Sequence, residues 1–69
     1  MYTLTKTFRT KSEAKDAVKR GELLHLVHPD GNVLDRANGH IFPISGRLDP
    51  YKAWHGTASV WGGKIEVIR

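Results

Sequence analysis

Residues 2–10, "YTLTKTFRT", set Tyr2, Leu4 and Phe8 in alternation with Thr3, Thr5, Thr7 and Arg9. A period of two predicts a half-buried strand, with the β-branched threonines on the open face of the pleat. Lys6 interrupts the apolar side, as charged residues do on edge strands, where they discourage pairing with another chain. The period then lengthens. Thr10 is followed three residues later by Glu13, the pattern of a capping box, and Gly21 stands where a helix would close. Between them Ala14, Ala17 and Val18 form a narrow apolar arc, small enough for the helix to lie close against a sheet.

"ELLHLVHPDGNVL" reads as a hairpin. Leu23, Leu24, Leu26 and Val27 predict a strand covered on both faces, "HPDG" a turn, and Val33–Leu34 the return. "DRANG" is a second turn and "HIFPI" a short strand; Pro43 places that strand at an edge or at its own end. In "SGRLDPYKAWHG", Asp49 and Pro50 match an N-cap followed by the first helical position, which predicts one helical turn from Pro50 to Trp54. "TASVWGGKIEVIR" is a hairpin about Gly62–Gly63, which accept the positive φ of a two-residue turn. Counting outward from that turn pairs Trp61 with Lys64, Val60 with Ile65, Ser59 with Glu66 and Ala58 with Val67. Ala58, Val60, Ile65 and Val67 then share an apolar face and Trp61 falls on the polar one; a bulged turn would bury its ring.

The order β-α-β-β-β-β-β predicts a single α+β domain over residues 1–69, a mainly antiparallel sheet with the N-terminal helix packed on it. The expected core is Leu24, Leu26, Ile41, Val60, Ile65 and Val67, with Ala14, Ala17 and Val18 laid against it. At 69 residues the chain buries only roughly 60% of its unfolded surface. It has no cysteine to staple it, so packing, a partner or self-association must hold it. No segment resembles a signal peptide or a membrane span, so the expected setting is cytoplasmic, with no membrane partner.

Charge refines this picture through its distribution. Residues 1–20 carry Lys6, Arg9, Lys11, Lys15, Lys19 and Arg20 against Glu13 and Asp16, whereas residues 21–69 balance five basic against five acidic side chains, so the whole excess of +4 lies in the first strand and helix. That asymmetry fits a polyanionic partner, although a small domain also carries net charge simply to stay dispersed. Lys11, Lys15 and Lys19 recur every four residues, about 40° apart on the helix. Like charges at this spacing weaken an isolated helix by a few tenths of a kcal/mol per pair, and a polyanion would remove that cost. Asp16 and Arg20 are spaced to offset each other on the other flank.

The remaining chemistry is thin. His25 and His28 have a chelating spacing for a helix, but on a strand they point to opposite faces, and zinc wants three or four ligands. Asp30, Asp35 and Asp49 have turn and cap roles. No nucleophile–base spacing and no phosphate loop occurs, so no cofactor, metal or catalytic residue is assigned. Tyr2, Phe8 and Phe42 are core candidates and Trp54 suits packing beneath a loop. Trp61 beside Lys64 is either an exposed anchor or half of a cation–π pair.

The resulting expectation is a small non-enzymatic binding module that meets nucleic-acid phosphates through Arg9, Lys11, Lys15, Lys19 and Arg20. The alternative is a small protein-binding regulator or inhibitor, of the kind mobile elements and phages carry as accessory proteins. It would dock on an enzyme with an acidic or nucleic-acid-binding surface through Tyr51, Trp54, Trp61 and Lys64. A homodimer formed through an exposed sheet face or edge is a third possibility.

Overall fold

Thr10 starts the helix as its sequence position requires. In the computed structural model, which describes residues 1–48 and 50–69, Thr10 has extended backbone and its hydroxyl accepts the Glu13 N–H at 3.2 Å. The helix, α1, runs Lys11–Lys19. Glu13 does not return the bond to Thr10; its carboxylate accepts the Arg9 N–H instead, at 3.2 Å. At the other end Gly21 has φ +81°, its N–H bonds to the Val18 carbonyl and the Glu22 N–H bonds to that of Ala17. Those two bonds form a Schellman motif, which only a residue at ease with positive φ can close without strain. Ala14 and Ala17 are fully buried and Val18 is packed against the same core.

Among the described residues six strands accompany the helix: β1 Thr3–Leu4, β2 Leu26–Val27, β3 Val33–Leu34, β4 Gly39–Gly46, β5 Trp54–Trp61 and β6 Lys64–Ile68. The order β-α-β-β-β-β-β and the α+β class are as expected. The strands, however, form two antiparallel three-stranded sheets, β1-β2-β3 and β4-β5-β6, in place of one. The sheets are sewn together along two seams. At the first, the Tyr2 N–H donates to the Pro43 carbonyl and the Ser45 N–H to that of Tyr2, both at 2.9 Å. At the second, the Ile65 N–H on the free edge of β6 donates to the Leu24 carbonyl at 3.0 Å. One core fills the space between, with Leu24, Leu26, Ile44 and Ile65 its largest fully buried side chains. Helix α1 lies along β6 and touches β5.

Several sequence expectations are corrected here. The first strand is only two residues long, because beyond Leu4 the chain turns off toward the helix. Its alternation nevertheless persists: Tyr2, Leu4 and Phe8 face inward and Thr3, Thr5 and Thr7 outward. Beside β2, Leu24 and Leu26 are buried but Leu23 is exposed, so the segment is covered on one face and not two. β2 is still the central strand of its sheet. The "HPDG" turn forms with the Gly31 N–H on the His28 carbonyl and φ +96° at Gly31. No helical turn forms among the described residues of 50–54. The Tyr51 N–H closes a turn on the Leu48 carbonyl and Trp54 already opens β5; the proposed cap, Asp49, lies outside the described residues. Pro43 sits in an edge strand of its sheet, as one alternative expected, but within that strand's eight residues and not at its end. Its carbonyl faces Tyr2, so its missing N–H also points away from β5 and removes no bond from that ladder.

Two bulges decide the remaining differences. Gly39 pairs with Val60 and Phe42 with Ala58, which gives β4 one more residue than β5 over that stretch. Phe42 and Ile44 turn toward the core, and Ile41 faces outward at 79% exposure, not buried as expected. The C-terminal hairpin begins as predicted, Trp61 opposite Lys64 and Val60 opposite Ile65. Glu66 is then extra, Ser59 pairs with Val67 and Ala58 with Ile68. The parity of β6 flips past that point. Ile68 is buried at 3% exposure, and Val67, expected in the core, is 41% exposed.

Candidate functional site

The five basic residues singled out by the sequence divide into two groups. Arg9 is occupied. Its Nε donates to Glu13 at 2.9 Å and its guanidinium forms an ion pair with the same carboxylate. It also lies 5.5 Å from the Tyr51 ring centroid and donates to the Tyr51 hydroxyl at 3.4 Å. The bond from Arg9 holds the Glu13 carboxyl below its ordinary range. Arg20 reaches Glu22 at 3.4 Å, not Asp16, and Glu22 is gripped more closely by Lys6 at 2.7 Å. Bonds from Lys6 chiefly hold Glu22 low. These are exposed pairs of small energetic worth, but each puts a carboxylate beside the cation and weakens its pull on an anion.

Lys11, Lys15 and Lys19 make no ion pair or side-chain hydrogen bond among the described residues. Their common face borders the buried one at Val18. The contacts along the helix give the stripe a direction. Lys11 has its Cδ against Gly56 near the Arg69 carbonyl, at the C-terminal end of β6. Lys15 and Lys19, with Val18, line a cleft against Glu66, Val67 and Ile68. The helix thus runs antiparallel to β6, and the stripe follows that strand toward the Gly62–Gly63 turn. At 1.5 Å per residue, Lys11 to Lys19 covers about 12 Å.

Beyond the stripe lies the outer face of the β4-β5-β6 sheet, opposite the core. Trp61 stands there at 73% exposure, as the two-residue turn implied. Gly62 and Gly63 have φ of +59° and +81°, the pair of values a type I′ turn needs. Beside Trp61 a groove is lined by Gly39, His40, Ser59, Val60 and Glu66. Lys64 is opposite Trp61 in the ladder, but the cation–π contacts of the described residues lie elsewhere, Lys6 over Phe8 and Arg9 over Tyr51.

The other aromatic candidates have structural work. Trp54 is half-buried, donates its Nε1–H to the Phe8 carbonyl at 3.1 Å and packs against Gly46, where a Cβ would stand 2.3 Å from the ring. It ties the segment before α1 onto β5. Tyr51 is exposed but holds Arg9. His25 is also tied inward. Its Nδ1 lies 2.8 Å from the Gly63 carbonyl, which can only accept, so Nδ1 carries the proton.

The structure therefore sets Lys11, Lys15 and Lys19 along β6 and Trp61 opposite Lys64 at that strand's turn, with Glu66 lining the surface beside each. It holds Arg9 with Tyr51 at the helix start and Trp54 in the packing beneath. Sequence reasoning missed Ile41, Val67 and Arg69 on the outer face, because both bulges lie between them and the turn from which the pairs are counted. Among the described residues no group of three or more His, Asp or Glu is placed to hold a metal ion. None of their helices is long and apolar enough to cross a membrane. No family model, no curated protein and no solved structure matches this chain.

Proposed function

We propose that the chain is a non-enzymatic binding module that contacts nucleic-acid phosphates through the lysine face of α1. One observation carries this reading. Lys11, Lys15 and Lys19 share a side of the helix and have no carboxylate partner among the described residues, whereas Arg9 and Arg20 have one each. The interface accordingly narrows from five cations to three. Contacts of this kind position a backbone and carry no base sequence.

Each duplex phosphate neutralised contributes about −0.9 to the slope of log K against log salt. Three lysines account for up to about −2.7 by that rule. Changing Lys11, Lys15 and Lys19 together to Gln keeps helix propensity nearly constant and leaves the caps untouched. The expected outcome is weaker binding to labelled oligonucleotides and a slope shallower by about one to three units. Absence of binding by the parent protein, even at low salt where such contacts are strongest, would overturn the reading.

The outer sheet face favours a second reading, a regulator or inhibitor docking on another protein. Ile41, Trp61 and Val67 are all exposed there, and large apolar side chains grouped in this way are typical of interaction surfaces. Capture from lysate of one stoichiometric protein that survives nuclease treatment, through a face blocked by Trp61→Ala, would select it.

A further inference from the structure

The lysine stripe and the indole border surfaces that share a residue. Glu66 lines both the cleft beside Lys15 and Lys19 and the groove beside Trp61, so the two surfaces meet at that residue. Val67 lies at the same junction, opposite Ser59, two positions along β5 from Trp61. At roughly 3.3 Å per residue that is about 7 Å. A ligand following the lysines up β6 would pass Glu66 and reach the exposed Trp61.

Resting on the phosphate reading above, we infer that the ligand is a single strand, its backbone along Lys11, Lys15 and Lys19 and an unstacked base on Trp61. A duplex keeps its bases stacked on one another and has no use for an exposed indole; a single strand offers every base as a partner. Positive tracks with aromatic platforms serve this purpose because every base has a π-face, and they bind with little sequence preference. The track is short and suits about four nucleotides, the lower end of the range for small single-strand-binding domains. Glu66 is the discordant element. Its charge sits where the backbone would pass and it has no ion-pair partner among the described residues. Its removal therefore tightens binding.

The test measures anisotropy of a labelled oligothymidylate and of a duplex of equal length, at low salt, with the parent, Trp61→Ala, Trp61→Phe, Glu66→Gln and the triple Gln variant. Trp61 is exposed, so its variants keep the fold, which circular dichroism and Tm check. Expected results are tighter binding of the single strand by the parent and a loss of roughly 5- to 150-fold in Trp61→Ala, the effect of one stacked base. Trp61→Phe should retain most of the affinity, Glu66→Gln should raise it, and duplex binding should be indifferent to Trp61. If the triple Gln variant loses affinity while Trp61→Ala does not, the single-strand inference falls and the phosphate reading stands. Parent binding that favours the duplex has the same effect. If the parent binds neither oligonucleotide, both fall. Self-association abolished by Trp61→Ala assigns the face to a second copy and overturns the inference.

Discussion

Gly63 carries more of the fold than its size implies. Its φ is +81°, and a Cβ there would stand 2.1 Å from the Asp35 carbonyl oxygen. Its N–H donates to the Ala37 carbonyl at 2.9 Å, and its own carbonyl accepts from His25. The residue thus fixes the hairpin tip against both the turn before β4 and the segment before β2. Gly62 has φ +59° but open space where a Cβ would go. Positive φ alone costs a residue with a side chain roughly 1–2 kcal/mol. Gly62→Ala is therefore expected to lose about that much. Gly63→Ala adds a backbone collision and should lose clearly more, beyond about 3 kcal/mol. Urea unfolding of the two variants checks the ranking; equal losses would mean that the Asp35 contact yields freely. The sequence made Gly62 and Gly63 look equivalent, since a turn rule sees φ and not the neighbour 28 positions away.

For the elements, what was legible followed from local rules, and what was missed followed from pairing at a distance. Thr10, Glu13 and Gly21 bound the helix because each acts on backbone within five residues. The Gly62–Gly63 turn fixed its two nearest pairs for the same reason. Glu66 then broke the count. Nothing local distinguishes "KIEVI" with a bulge from the same residues in regular alternation; the choice depends on which of Val67 and Ile68 the helix and β5 cover. The candidate site was legible to the same extent. The lysine stripe needed only helical periodicity and Trp61 only the turn. The loss of Arg9 to Glu13 and Tyr51, and of Arg20 to Glu22, needed side-chain geometry. A pair of substitutions tests the bulge. Ile68→Ala removes a fully packed side chain and should cost about 2–5 kcal/mol. Val67→Ala, on the outer face, should stay within about 0.5 kcal/mol. The reverse ranking would restore the regular register.

Taken whole, the molecule is two small sheets that neither hairpin rule nor helix rule could join. The seam at Tyr2 brings it against Pro43 and Ser45, more than forty positions along the chain. The Tyr2 ring then meets Phe42 edge-on at 5.4 Å between centroids. Every strand pairing within the two sheets, by contrast, joins strands consecutive in chain order. This ordering has a kinetic consequence. Local hairpins form within microseconds, whereas a long loop must close before its contacts repay the lost chain entropy. The rate-limiting barrier is therefore expected to be crossed with the C-terminal hairpin formed and the Tyr2 seam still open. Mutations in contacts made after the barrier speed unfolding and spare folding. Tyr2→Ala, destabilising by about 1–2 kcal/mol, should then raise the unfolding rate roughly 5- to 30-fold with little change in the refolding limb of a stopped-flow chevron. A matching slowdown of refolding would place the seam inside the nucleus. If unfolding is the limb that moves, the first residues of the chain are the last to arrive and the first to leave, and they set how long the native state survives between openings.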